Sequence, residues 1–186
     1  IQLKEKQQIY VNYLNKVTEL HFLNERIDLK VGVKNRKWIN SDGRRNMPSG
    51  EVFSSPVESE VNGHVCFSYP SQYYNETIHG VDIEFRNGKV VRYSASRNQK
   101  LLDLVLDQKN ANILGEIAIG TNYNINKQSF NTLFDEKIGG TFHLALGNSY
   151  PETGGLNKSI IHWDLISSMK TGEIFADKKY IYKNGK

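Results

Sequence analysis

Val81-Asp-Ile-Glu-Phe-Arg-Asn-Gly-Lys-Val-Val-Arg-Tyr93 places two runs of alternating apolar and polar residues around Asn87-Gly88. An Asn-Gly between such runs is the strongest short-range hairpin signal, since Asn and Gly tolerate the positive φ that a tight turn requires. Working outward, further strands are expected at 28–33, 64–69, 111–119, 141–146, 159–166, 173–176 and 179–182, the last two forming a second hairpin around Asp177-Lys178. Helical spacing occurs twice. Ile9, Tyr13, Leu14, Val17 and Leu20 recur at three and four residues and predict an amphipathic helix over Leu3 to Asn24, and Leu101, Leu102, Val105 and Leu106 predict another over Asn98 to Gln108. Strands dominate and do not alternate regularly with helices, so the expected class is α+β, a mostly antiparallel sheet or open barrel with few helices.

The chain has 186 residues, enough for one domain with its own core. No apolar stretch reaches the length of a membrane span, and no charged-then-apolar leader opens the sequence, so no membrane partner is expected. The formal charge of +4 is spread along the chain rather than gathered with aromatics into a stripe, which argues against nucleic acid as a partner. The single cysteine, Cys66, lies in an apolar run and reads as core filler in a reduced, cytoplasmic protein. Gly139-Gly140 and Gly154-Gly155 lack the spacing of phosphate-binding loops and read as sharp turns.

Several ionisable residues lie inside apolar runs. Glu116 sits in Ile113-Leu-Gly-Glu-Ile-Ala-Ile119, His143 in Thr141-Phe-His-Leu-Ala-Leu146, His162 and Asp164 in Ile160-Ile-His-Trp-Asp-Leu-Ile166, and Glu51 in Pro48-Ser-Gly-Glu-Val-Phe53, after a long loop rich in Asn, Arg, Gly and Ser. A carboxylate or imidazole withdrawn from water needs a partner, and a divalent cation could serve all of them. Residues two apart in a strand share a face, so His162 and Asp164 project together. Two imidazoles with three carboxylates suit Zn²⁺, Co²⁺ or Mn²⁺, and the set exceeds what one tetrahedral ion uses. It fits two divalent metal ions about 3.5 to 4 Å apart that hold a water as hydroxide and polarise a carbonyl, the requirements of amide hydrolysis. Each residue alone has an ordinary explanation. His-x-Asp can be a surface pair, a single His can be a hydrogen-bonded core residue, and Glu116 could be answered by Arg44 or Arg92. A non-catalytic β-rich peptide-binding module, adding a strand at a sheet edge, is the alternative that needs no metal.

Longer blocks go beyond spacing. Asn46-Met-Pro-Ser-Gly-Glu-Val-Phe-Ser-Ser-Pro56, Leu114-Gly-Glu-Ile-Ala-Ile-Gly120, Leu133-Phe-Asp-Glu-Lys-Ile-Gly-Gly-Thr-Phe-His-Leu-Ala-Leu-Gly147 and Ser159-Ile-Ile-His-Trp-Asp164 resemble the signatures of the aminopeptidase T family of two-metal aminopeptidases, in order from about Arg36 to the C-terminus. The resemblance implies a cytosolic metalloaminopeptidase acting on peptide substrates with a free N-terminus, a homodimer when full-length, and an additional N-terminal domain. Residues 1–25 would then be a connecting helix from that domain and 26–186 the catalytic metallopeptidase domain, whose activity in isolation would be weakened by an open cleft. By motif, the metal ligands would be Glu51, Glu116, His143, His162 and Asp164, with Glu116 as the bridge, and Glu116 or Glu136 would be the catalytic carboxylate that carries a proton to the leaving amine. Tyr150 resembles the family's active-site tyrosine, a donor to a developing oxyanion, and Glu136 a metal contact or base, its other reading being an exposed turn carboxylate.

Overall fold

The computed structural model describes residues 2–44 and 46–185. Helix α1 (Gln2–Leu14) leads into strands β1 (Glu19–Asn24), β2 (Ile27–Gly32), β3 (Ile39–Ser41), β4 (Glu51–Ser54), β5 (Val61–Cys66), β6 (Ser71–Tyr73), β7 (Glu76–Arg86) and β8 (Lys89–Arg97). After α2 (Gln99–Leu106) come β9 (Leu114–Gly120), a short helix α3 (Thr132–Asp135), β10 (Thr141–Gly147), a 3₁₀ turn at Pro151–Thr153, β11 (His162–Ser168), β12 (Glu173–Ala176) and β13 (Lys179–Lys183). The strands form two antiparallel sheets. The larger runs β13-β12-β1-β2-β5-β7-β6 with β8 also paired to β7, and the smaller runs β11-β10-β9-β4-β3. The expected α+β class holds, as two open sheets rather than a barrel.

Alternation explains how the sheets meet. On β10, Phe142, Leu144 and Leu146 point one way into a core shared with Leu20, Phe22, Leu29 and Ile174 of the larger sheet, and Phe22 stacks on Phe142 at 4.5 Å between ring centroids. The opposite face of β10 carries Thr141, His143 and Ala145, and it is buried as well. The smaller sheet therefore has a core face and a second enclosed face, and only the second carries ionisable groups. The 87–88 hairpin forms as the sequence indicates, with Asn87 at φ 48° and Gly88 at 78°, and Asp177-Lys178 turns the final hairpin in the same left-handed conformation.

The first segment differs from expectation. The helix ends at Leu14 rather than Asn24, and Glu19–Asn24 pairs with β2 and β12 as a strand inside the larger sheet. Leu20 continues the helical stripe from Val17, but Leu20 and Phe22 together satisfy a period of two, and pairing on both edges decides for the strand. Asp177 fixes the change of direction, accepting hydrogen bonds from the Thr18 and Glu19 amides and the Thr18 hydroxyl. Short β3 and α3 fall in stretches that read as loop. Gly140 and Gly154 turn at φ 84° and 89°, which a side chain would resist.

Candidate metal centre

The register of the smaller sheet assembles the site. Ala145 on β10 stands opposite Glu116 on β9 and Asp164 on β11, so the two carboxylates flank an alanine in one row across three strands. In the next row His143 stands opposite Ala118, and Ala118 opposite Phe53 of β4; Glu51 stands opposite Gly120 one row further. His162 stands opposite Gly147 at the other end. Alanine and glycine between the charged groups leave open space, so long side chains two strands, or roughly 10 Å, apart can reach over them toward a common centre.

The meeting is close. His143 Nε2 lies 3.5 Å from Glu51 Oε2, 3.5 Å from Glu116 Oε1 and 3.9 Å from Asp164 Oδ1. His162 Nε2 lies 3.2 Å from Glu116 Oε2 and 3.8 Å from Asp164 Oδ1. Glu116 thus offers one oxygen to each imidazole. Glu136 joins from the end of α3, buried rather than exposed on a turn, and two groups result: Glu51 with Glu136 and His143, and Glu116 with His162 and Asp164, each with candidate ligand atoms within 4.8 Å of one another. Arg44 and Arg92, possible partners for Glu116, instead pair with Asp42 and Glu84.

Tyr150 stands at the start of the 3₁₀ turn, its ring against Phe53 and His162 and its hydroxyl 3.4 Å from His162 Nε2. The three remaining histidines lie elsewhere, and His21 and His64 are paired with Asp28 and Asp82 at 2.7 Å.

Surrounding residues invisible to the sequence reading hold these groups. His162 Nδ1 donates to the Asn148 carbonyl at 2.9 Å; that oxygen can only accept, so Nε2 is the nitrogen left for the centre. Ser71 donates to the Asp164 carbonyl, and Gln7 of α1 donates to the carbonyls of Glu51 at 2.6 Å and Ser41 at 3.0 Å. Lys137, 1 % exposed, donates to Glu51 Oε1 at 2.5 Å and to Glu136 Oε1. Its position inside the Leu133–Gly147 block, next to a candidate acid, was the available signal.

The electrostatics are those of an excess of buried negative charge. Burial raises Glu116, but His143 and His162 beside it outweigh that and hold it at about 2. Burial lowers both imidazoles, yet the carboxylates, Glu116 first, lift His143 to about 10 and His162 to about 9. Glu136 is pushed up to about 7 by burial, with Asp164 and Glu51 adding to it, and burial also raises Asp164. Burial and the surrounding carboxylates raise the Tyr150 hydroxyl, so it stays protonated.

A pair of divalent cations fits this set. Glu51 Oε2, Asp164 Oδ1 and His143 Nδ1 are buried without a hydrogen-bond partner among the described residues, and the first two point at the imidazoles that share their groups. Four carboxylates against two imidazoles and one ammonium need more positive charge than the side chains supply, and mixed nitrogen and oxygen donors suit borderline metals.

Two facing antiparallel sheets, with a carboxylate and imidazole cluster on the face of the smaller one that turns away from the shared core, define a fold with a candidate metal centre built on sheet rows. The family model for thermophilic metalloprotease (M29) matches residues 2–186, and the chain belongs to that family. It is 33% identical to aminopeptidase PepS of Streptococcus thermophilus over 199 residues, 89% of this chain and 48% of that protein. It is 31% identical to aminopeptidase AmpS of Bacillus subtilis (strain 168) over 210 residues, 94% and 51% of the two chains. Among solved structures, wild-type AmpT from Thermus thermophilus superposes with a TM-score of 0.84 at 27% identity, covering 96% of this chain and 52% of that one. A 2,5-dihydroxypyridine dioxygenase from Pseudomonas putida KT2440, with a TM-score of 0.77 at 16% identity, shares the fold. The chain spans about half the length of the relatives it matches.

Proposed function

We propose that this chain is the catalytic region of a cytoplasmic, homodimeric aminopeptidase that removes the N-terminal residue of peptides with the help of two divalent ions, Zn²⁺, Co²⁺ or Mn²⁺. The observation that carries the reading is the convergence of Glu51, Glu116, His143, His162 and Asp164 on two adjoining groups that meet at Glu116, in a family described as metalloproteases. Glu51 and His143 would hold one ion and His162 and Asp164 the other, with Glu116 between them and Glu136 beside the first. Bound there, the ions would supply an activated water and polarisation of the scissile carbonyl.

The remaining work falls to side chains. Glu116 has both oxygens engaged by imidazoles, which suits it to bridge the two groups. Glu136, buried beside the cluster next to Lys137, is placed to take a proton from the attacking water and return it to the amine nitrogen as the C–N bond breaks. The Tyr150 hydroxyl stays protonated and is available to donate to the oxygen that gains charge as the carbonyl is attacked. The substrate's free α-amine would be held by a carboxylate of the cluster, which restricts cleavage to the chain end.

Leucine p-nitroanilide hydrolysis by the zinc-loaded chain tests this reading. Glu136→Gln is expected to lower kcat by about 10² to 10⁴-fold with metal content unchanged. A variant that keeps wild-type turnover takes Glu136 out of the mechanism, and a wild-type chain without turnover in its metal-loaded form contradicts activity of the region alone.

A further inference from the structure

The two cation groups are not equivalent. In the first, Lys137 donates to one oxygen of Glu51 and one of Glu136, from a position with almost no contact with water. In the second, Glu116 and Asp164 meet only imidazoles among the described residues, and no ammonium or guanidinium reaches them. The ammonium therefore occupies one oxygen of each carboxylate particular to the first position, while Asp164, the carboxylate particular to the second, gives none of its oxygens to a lysine or arginine among the described residues.

We propose that Lys137 makes the pair of metal positions unequal, so that the Glu116–His162–Asp164 position fills first and tightly while the Glu51–Glu136–His143 position fills second, weakly and exchangeably. This rests on the two-cation reading above. The ammonium does not destroy the weaker position. Glu51 Oε2 remains without a hydrogen-bond donor and faces His143 Nε2 at 3.5 Å, so one oxygen of that carboxylate is free while the other stays with Lys137. A dication arriving at the free oxygen shares Glu51 with a fixed positive charge, and in a buried site that repulsion is poorly screened. The ammonium also removes a reason for the second ion to bind, since it already neutralises part of the charge that burial makes costly. Occupancy of the second position then follows the ambient concentration of free divalent cation, and the enzyme has a one-metal and a two-metal form separated by that concentration.

The test is a Co²⁺ titration of the metal-free 186-residue chain, followed by visible absorption and by equilibrium dialysis. The wild-type chain is expected to bind in two steps with Kd values at least about tenfold apart. Asp164→Asn is expected to remove the tight step and leave the weak one. Lys137→Met is expected to strengthen the weak step by about tenfold or more and leave the tight step unchanged. Two equal steps in the wild type overturn the proposal, as does a weak step that Lys137→Met does not move, or an Asp164→Asn chain that keeps the tight step and loses the weak one. Circular dichroism establishes that each variant folds; should Lys137→Met not fold, the wild-type titration and Asp164→Asn decide. Absence of any Co²⁺ binding overturns the two-cation reading itself, and the inequality with it.

Discussion

His143 and His162 show how a buried site stores positive charge before metal arrives. Both imidazoles are held well above their ordinary value, to about 10 and about 9, by carboxylates that face them. A ligating imidazole must be neutral, so metal has to displace protons. Zinc binding at pH 7 is expected to release roughly two protons, measured by calorimetry in buffers of different ionisation enthalpy; a buffer-independent heat would contradict the assignment of both imidazoles. The same shifts set the stability of the metal-free chain. An imidazole with its folded pKa raised contributes stability that is complete below about 6.5 and is lost as pH rises through about 9 to 10. Glu136, raised to about 7, adds to the loss between about 4.5 and 7, whereas Glu116, lowered to about 2, contributes stability that disappears only as pH falls from about 4.5 toward 2. The urea midpoint of the metal-free chain is therefore expected to fall between pH 6 and pH 9.5. A midpoint that rises over that range contradicts the charge balance described for the cluster. At this scale the residues of the cluster were legible because a charged side chain in a run such as Ile-Leu-Gly-Glu-Ile-Ala-Ile stands out. Lys137 was not, since nothing in the run Asp135-Glu136-Lys137 marks the lysine as buried. All three are buried, because Asp135 accepts from the amides of Ser129 and Phe130 while Glu136 pairs with Lys137.

At the scale of elements, the site depends on small residues as much as on ligands. Ala145 separates Glu116 from Asp164, and Ala118 separates His143 from Phe53. Ala145→Val places two methyl groups between the carboxylates and is expected to weaken metal binding while costing about 1 to 3 kcal/mol in stability, read by dialysis and by urea denaturation. Unchanged metal affinity would show that the row over Ala145 is not where the carboxylates meet. Hairpins were readable from local signals, since Asn87-Gly88 and Asp177-Lys178 specify their own turns. The 19–24 strand was not, because Leu20 extends the helical spacing of Val17 while also starting a period of two with Phe22, and pairing with β2 and β12 is what separates them. Sequence spacing also could not give register, and register is what puts Glu116, His143 and Asp164 on neighbouring rows.

The whole molecule divides its work between two sheets. The larger one supplies a core against which β9, β10 and β11 pack, and the smaller one carries the candidate centre on its other face. Phe142→Ala, which removes the ring stacked on Phe22, is expected to destabilise the fold by about 3 to 5 kcal/mol. Helix α1 reaches the centre through Gln7, whose amide holds the Glu51 backbone, so the N-terminal segment takes part in the site whatever else it connects. No helix among the described residues is long and apolar enough to cross a membrane. The central claim is that side chains from four strands and α3 form one centre for two cations. A crystal structure of the zinc-soaked chain, with anomalous data at the zinc edge, tests it most directly. Two peaks are predicted, at about 2.0 to 2.3 Å from nitrogen and oxygen atoms of the Glu51–Glu136–His143 and Glu116–His162–Asp164 groups, and zinc bound only away from these residues would contradict the account.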